Sequence, residues 1–447
     1  MRIDIKEKRI LKSIICKRLG IDIVRNINGI SIDSRNIKKG DLFIALQGHK
    51  SHGIDFIDNQ HLNDLSLIVS DKKIIDPKIV LVPDSKDFLV HIATEFRKSL
   101  KSKVIGITGT NGKTSTKELL VKFLKTKFDV NYSHGNYNST ISLPLSLLGC
   151  DAKSSYCVLE MGASRKQEIS FLCAVAKPDF GLITNISESH LEGYKNFEEL
   201  INTKLALYDS LVDNGGAYFL NKDDSNITIK EDYQKIITYS NYDKSSDYFA
   251  DTSQIIEGFV YINDYLFNVP YKSDIFASNF LASYSIASSL GVSNKKIQDA
   301  LLGFEYPKGR GEILEIDGNT IIDDTYNANL NSMKAGIKEL ELIKGEKPIV
   351  LILGDMLDLG DSSKAHHLEL GKFISELNFI DKVYCTGLMT SYTVDSITNK
   401  DIKFKHFIDT SSLIESLNED KNNNMIFYFK GSRGMEMEKI INKVFNR

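Results

Sequence analysis

Residues 106–114 read Gly106-Ile107-Thr108-Gly109-Thr110-Asn111-Gly112-Lys113-Thr114. They follow the short apolar segment Lys103-Val104-Ile105 and precede an amphipathic run, Ser115 to Lys127, with Leu119, Leu120, Phe123 and Leu124 on one face. Strand, glycine-rich turn and helix in that order describe a phosphate-binding loop. Gly109 and Gly112 let the backbone curl so that successive amide hydrogens, those of Thr110 and Asn111 among them, point at phosphate oxygens. The helix start adds its positive end, Lys113 a mobile cation, and Thr114 a hydroxyl suited to magnesium. The spacing departs from the strict P-loop pattern, because Ile107 stands where the first glycine belongs and Gly106 comes one residue early. A generic NTPase is therefore a poorer match than a specialised one. A turn that binds nothing would leave the joint placement of the glycines, Lys113 and Thr114 without a reason.

The chain around this loop has 447 residues, 42% of them hydrophobic and 26% charged, and carries a net charge of -3. That length suggests about three domains. The weak acidic balance offers no electrostatic reason for nucleic acid or an anionic membrane as partner. Cys16, Cys150, Cys157, Cys173 and Cys385 are odd in number and scattered, as in Tyr156-Cys157-Val158-Leu159, so reduced core thiols are expected rather than disulfides or a zinc site. The first twenty residues are charged throughout, and no apolar stretch approaches membrane-spanning length. A cytoplasmic protein is expected.

The periodicities divide the chain into three α/β regions. Residues 1–100 show short strands and turns, Ile30 to Arg35, Leu42 to Leu46, Ser66 to Val69 and Ile79 to Val82, with a helix from Phe88 to Leu100. Residues 101–307 alternate strand and helix: Tyr156 to Met161, the helix Lys166 to Ala176, Phe180 to Asn185, and the helix Phe197 to Val212. That alternation predicts a parallel sheet wrapped by helices. Residues 308–447 repeat it with Ile349 to Gly354, Ser363 to Leu377, Lys382 to Cys385, Met425 to Phe429 and a closing helix Met435 to Phe445, a smaller doubly wound, Rossmann-like unit. The junction falls at Tyr306-Pro307-Lys308-Gly309-Arg310-Gly311, where Pro and Gly break both patterns.

Ligands of a parallel sheet collect beyond the carboxyl ends of its strands. Glu160 ends Val158-Leu159-Glu160-Met161-Gly162, where a carboxylate can hold magnesium or serve as an ordinary strand-end acid. His190 follows Ile183-Thr184-Asn185 and, taken alone, is as readily a capping or core residue as a ligand. Lys204 in Asn202-Thr203-Lys204-Leu205-Ala206 reads, on position alone, as a plain surface lysine.

Taken together, Thr108 to Thr114, Glu160-Met161-Gly162 and Thr184-Asn185-Ile186 leading to His190-Leu191-Glu192 resemble the Mur ligase family, as do Asp323 to Asn329, Leu353 to Gly360 and Lys430 to Met435. The resemblance covers Asp33 to Met435. It implies a three-domain, ATP-dependent amide-bond ligase of peptidoglycan synthesis that joins D-alanyl-D-alanine to a UDP-N-acetylmuramoyl-tripeptide; a monomer is expected. It further implies ATP phosphates and Mg2+ on Lys113 and Thr114, and magnesium served by Glu160 and His190. Lys204 falls where the family carries a lysine carbamylated to N6-carboxylysine, a catalytic and metal-orienting anion. Asn279, Tyr326 and Asn327 would lie by the nucleotide, with Arg310 and Asp324 reaching it from the third domain. Ser34 and Arg35 would bind the uridine-nucleotide substrate in the first domain, although a polar turn explains them equally. Asn136 and Asn138 would face the substrate peptide and phosphate. Ser363 and His367 match a further pattern, with packing or capping an equal alternative.

Departures from the family pattern are Ser139 for asparagine, Ser142 for glycine, Leu330 for proline, and Ser278 for the histidine that usually precedes Asn279. The competing readings are another Mur-type amino-acid ligase, a folylpolyglutamate-synthase-like ligase, and a P-loop switch that hydrolyses ATP to change shape. The long region before the phosphate loop argues against the folate enzyme. A switch turns over without an amine acceptor, whereas a ligase needs one.

Overall fold

The computed structural model describes residues 1–23, 26–74, 76–229, 232–421 and 424–446. Among them are three sheets, of five, nine and six strands. The first contains β1 (Arg2–Asp4), β2 (Gly29–Ser31), β3 (Leu42–Ala45), β4 (Leu67–Ser70) and β5 (Ile79–Leu81), with α1 (Lys8–Leu19), α2 (Asn59–Asp64) and α3 (Ser85–Ser99). β1 runs antiparallel to β2 and the remaining pairs are parallel. The strand expected to reach Arg35 stops at Ser31, because the Asp33 carboxylate accepts the Arg35 amide and turns Ser34–Asn36 into one 3-10 turn.

The second sheet begins with β6 (Lys103–Thr108), followed by α4 (Lys113–Leu124), β7 (Val130–Tyr132), α5 (Ser142–Leu148), β8 (Tyr156–Glu160), α6 (Glu168–Ala176), β9 (Phe180–Ile183) and α7 (Phe197–Asn214). β10 (Ala217–Asn221), β11 (Ile236–Ser240), β12 (Tyr248–Asp251), β13 (Phe259–Ile262) and β14 (Tyr265–Asn268) extend it, and α8 (Asp274–Ser289) and α9 (Asn294–Leu302) cover it. The order is β14-β13-β12-β11-β10-β9-β6-β8-β7. The expected all-parallel sheet holds from β7 to β12 and fails at one edge, where β13 and β14 form an antiparallel hairpin turned at left-handed Asn263. Asn and Asp at a two-residue turn are hairpin chemistry, which the helix-and-strand alternation does not reveal.

α3 packs on α5 and α6, so one apolar cluster runs from Ile30, Leu42 and Phe96 through Leu143 and Leu172 to Leu207. On the other face α4 packs on α8 around Phe123, Phe276 and Phe280.

The third sheet contains β15 (Glu312–Ile316), β16 (Asn319–Asp324), α10 (Leu330–Ile343), β17 (Ile349–Gly354), α11 (Ser363–Ser375), β18 (Lys382–Thr386), α12 (Thr390–Asp395), β19 (Lys403–Phe407), α13 (Thr410–Asp420), β20 (Ile426–Lys430) and α14 (Glu438–Phe445). Its order is β15-β16-β20-β17-β18-β19, parallel except for β15. α14 begins later than the expected Met435, because Glu436 takes a left-handed conformation after a 3-10 turn. All five cysteines are free thiols. No helix among the described residues is long and apolar enough to cross a membrane.

Candidate active site

β6 extends to Thr108 and α4 starts at Lys113, so the turn between them is only Gly109 to Gly112. Gly109 and Gly112 have φ of 142° and 80°, outside the range comfortable for side chains. A Cβ at Gly112 would also lie 2.4 Å from Asn279 Oδ1. Gly112→Ala is therefore expected to displace the loop and weaken nucleotide binding at least tenfold with little change in the second and third sheets. Calorimetric titration with ADP beside a thermal melt checks this.

The loop after β9 braces the turn. Thr110 N donates to Asn185 O at 2.8 Å and Asn111 N to Asn185 Oδ1 at 3.0 Å, while Thr184 Oγ1 donates to Asn111 O at 2.6 Å. Thr184 and Asn185, in the segment that leads from β9 to His190, thus hold the loop rigid.

Two ammonium groups converge on one carbonyl. Lys113 Nζ donates to Gly109 O and Thr110 O, both at 2.8 Å, and Lys204 Nζ donates to Gly109 O at 3.0 Å. Burial pushes Lys113 down to about 8, against the pull of Glu160 and with a further push from Arg310. Lys204 is pushed well below the ordinary lysine value by burial and by Lys113. The plain surface reading of Lys204 is thus wrong, since the residue is only 3% exposed. It lies on the inward face of α7 among Leu200, Leu207, Tyr208 and Leu211, a helical stripe visible in the sequence once lysine is allowed into it.

Glu160 is fully buried. It accepts from Thr114 Oγ1 at 2.9 Å and Asn138 Nδ2 at 2.7 Å, with Lys117 Nζ at 3.9 Å. His190 adopts a left-handed backbone, and its Nδ1 lies 3.2 Å from Asp358 Oδ2 of the third domain. Burial lowers its pKa, opposed by Asp358 and assisted by Lys113 and Lys204. Because a carboxylate only accepts, the neutral ring is assigned Nδ1–H, which leaves Nε2 as a lone pair. No three His, Cys, Asp or Glu side chains converge among the described residues. One carboxylate, a hydroxyl and an imidazole beside a phosphate loop nevertheless suit magnesium, which takes few protein ligands and completes its shell with phosphate and water.

The third domain closes the other side. The Arg310 guanidinium stacks 3.5 Å from the Tyr326 ring centroid, and Asp324 accepts from Lys430 Nζ at 2.5 Å and Tyr428 OH at 3.0 Å. Lys430 Nζ also donates to Asn327 O at 3.2 Å. Asn329 Nδ2 donates to Asn111 Oδ1 at 2.8 Å, and His366 Nε2 lies 3.0 Å from Glu188 Oε2, so polar contacts tie the phosphate loop and its brace to the third domain. Asn329 and Lys430 carry no signal in the sequence beyond the motifs that contain them, because their partners lie far away along the chain.

A cavity of about 980 Å3 lies between the two domains. Gly109 to Lys113, Asn138, Glu160, His190, Lys204, Asn279, Arg310, Asp324, Tyr326 and Asn327 line it. Thr114 sits just behind, with its hydroxyl on Glu160. Ser34, Arg35 and Asn136 are not brought to the cavity: Arg35 is exposed and paired with Asp33, and Asn136 is exposed. His367 is a buried clamp. It accepts the Met356 amide at 3.1 Å on Nε2 and donates from Nδ1 to Ser363 O at 2.7 Å. His367→Leu is expected to cost about 1–3 kcal/mol of stability with kcat changed less than threefold, read by denaturant unfolding and initial rates.

Family models match in three segments: the Mur ligase family catalytic domain over residues 26–75, the Mur ligase middle domain over 107–287 and the Mur ligase glutamate ligase domain over 309–433. A Bacillus subtilis protein described as UDP-N-acetylmuramoyl-tripeptide–D-alanyl-D-alanine ligase is 30% identical over 93% of this chain and 92% of its own length. A Rickettsia prowazekii protein of the same description is 32% identical over 95% and 97%. Among solved structures, MurF from Acinetobacter baumannii superposes with a TM-score of 0.86 at 25% identity, covering 100% of this chain and 99% of that one. MurF ligase from Thermotoga maritima in complex with ADP gives 0.76 at 27% identity, covering 93% and 97%.

Proposed function

The chain belongs to the Mur ligase family, and we propose that it uses ATP to join D-alanyl-D-alanine to a UDP-N-acetylmuramoyl-tripeptide, releasing ADP and phosphate in peptidoglycan precursor synthesis. The observation that carries this reading is the phosphate loop with Glu160, His190 and Lys204 gathered beside it on one cavity, which Arg310 and Asn329 close from the third domain. It lies in a chain that matches ligases of this description over 92% or more of both lengths.

A carboxylate does not condense with an amine in water until it acquires a leaving group. The tripeptide's terminal carboxylate oxygen attacks the γ-phosphorus, the bond to the β-phosphate oxygen breaks, and ADP takes the electron pair. The amine of D-alanyl-D-alanine then attacks the acyl carbon, loses a proton, and phosphate departs with the former carboxylate oxygen. Lys113 and the amides of 109–113 hold the phosphates and offset charge as it moves. Asn138 would position the acyl side. Arg310, Asp324, Tyr326, Asn327 and Asn279 would seat the nucleoside. Closure of the third domain about Pro307–Gly311 would keep water from the acyl phosphate.

Thr114, Glu160 and His190 would hold Mg2+, which when bound offsets phosphate charge. Lys204 fits a carbamate: burial favours its neutral amine, the form that adds carbon dioxide, and the resulting anion would relieve the crowding of two ammonium groups. Ser34, Arg35 and Asn136 would contact the UDP-sugar peptide, with residues 1–100 as its binding domain, 101–307 the ATP domain and 308–447 the closing domain. The protein would act as a cytoplasmic monomer.

Phosphate release tests the assignment. UDP-N-acetylmuramoyl-tripeptide plus D-alanyl-D-alanine should give stoichiometric phosphate and pentapeptide, and omission of either should abolish it. Efficient turnover of the muramoyl-dipeptide with diaminopimelate or lysine instead would replace this substrate pair with another.

A further inference from the structure

Lys117 is a buried cation to which the chemistry above gives no part. It lies one turn of α4 beyond Lys113, is 0% exposed, and stands behind the residues that line the cavity. Its three N–H groups are satisfied within the protein: Nζ donates to Ser133 O at 2.7 Å and to Gly135 O at 2.9 Å, and Glu118 Oε1 lies 2.9 Å away. With no donor left over, the ammonium does not serve a bound phosphate directly. Taking an ammonium out of water is costly, and an apolar side chain of similar length would fill the space without that cost. The reason for a charge here lies in the groups it touches.

Those groups belong to the acyl side of the cavity. Residues 133–138 wrap the carboxyl end of β8. Ser133 N donates to Val158 O at 3.0 Å, Ser133 Oγ accepts the Glu160 amide at 3.1 Å, and Gly162 N donates to Asn138 O at 2.8 Å. Asn138 Nδ2 in turn donates to Glu160 Oε1 at 2.7 Å. The fit is close, since a Cβ at Gly162 would lie 2.9 Å from Asn138 Cγ. Lys117 fastens this same segment to α4, the helix that carries Lys113 and Thr114, and sets its charge 3.9 Å from Glu160 Oε2. One side chain therefore joins the phosphate half of the site to the acyl half.

We propose that Lys117 is a positioning residue for the phosphoryl-transfer step. It holds residues 133–138 and the Glu160 carboxylate in register with the phosphate loop, so that the acceptor carboxylate beside Asn138 lies in line with the γ-phosphorus. Nucleotide binding needs only the amides of 109–113 and Lys113, so the loss of Lys117 falls on turnover and spares nucleotide affinity. The proposal rests on the ligase reading and adds to it a residue that touches neither substrate.

The test uses the full chain and Lys117→Met, which keeps the length and removes the charge. Misplacing a reacting group by about 1 Å can cost about 100-fold, so kcat per folded molecule should fall about 30-fold or more. ADP affinity by calorimetry should stay within about threefold. Amide hydrogen exchange should rise at least tenfold across 133–138 and stay unchanged across 109–113. Asn138→Ala should slow turnover by itself, and the double variant should be within about threefold of the slower single variant, because both losses run through one segment. Lys117→Gln repeats each reading if Lys117→Met fails to fold. A kcat per folded molecule within threefold of the unaltered protein, multiplying losses in the double variant, or unchanged exchange across 133–138 overturns the role of Lys117. Failure of the unaltered protein to form amide overturns the ligase reading instead, and the exchange measurement still decides whether Lys117 holds the segment.

Discussion

Lys113→Ala is expected to lower kcat/KM for ligation about 1000-fold while the thermal melt stays cooperative. Removing one neutral donor from a charge-stabilising site costs about 100- to 1000-fold, and Lys113 contributes a full charge in a site from which water is excluded. Its ammonium is held by Gly109 O and Thr110 O at 2.8 Å, so the cation is in place before substrate arrives. Folding need not suffer, because the free protein bears the burial cost that holds Lys113 down to about 8 from 10.5. The sign follows directly. Between those two values the unfolded chain binds more protons than the folded one, so the stability of the ligand-free protein rises with pH across that window, and the alanine variant lacks that rise. Phosphates favour the protonated lysine, so ADP affinity should fall as pH climbs above about 8. Calorimetry at a series of pH values reads both effects; near-normal ligation by the variant would remove the phosphate-loop assignment.

Lys204→Ala is expected to be nearly as damaging and to differ in its rescue. Lys204 is buried beside a second ammonium, surroundings that a neutral or anionic group suits better than a cation. If a carbamate is the working form, activity lost in Lys204→Ala by about 100-fold or more returns in part with millimolar formate or acetate, which place a carboxylate in the vacated space. Lys113→Ala shows no such rescue. Unchanged activity in Lys204→Ala, or loss that no short carboxylic acid relieves, would discard the carbamate.

These two lysines also show what was legible in the chain. Lys113 could be read because glycine spacing, a preceding strand and a following helix constrain one another over a dozen residues. β17 and β9 were equally plain, as continuous apolar runs bounded by Gly and Asn. Lys204 was misread because an isolated lysine is usually solvated, although Leu200, Leu207, Tyr208 and Leu211 put it on the buried stripe of α7. The β13–β14 hairpin was missed since its strands are short and no helix separates them. Contacts made across long sequence separations left no local trace: the approach of His190 to Asp358 and the bond from Asn329 to Asn111. Ser34 and Arg35 could be named only through the family resemblance, since a turn needs polar residues for its own reasons.

The claim on which the rest depends is that the γ-phosphate passes to the substrate carboxylate before any amide forms. The most direct measurement labels the terminal carboxylate of UDP-N-acetylmuramoyl-tripeptide with oxygen-18 and follows the label by mass spectrometry after ligation to D-alanyl-D-alanine. An acyl phosphate requires that one labelled oxygen leave with the phosphate for each amide made. Phosphate free of label, alongside labelled amide product, would contradict activation of the carboxylate by this loop.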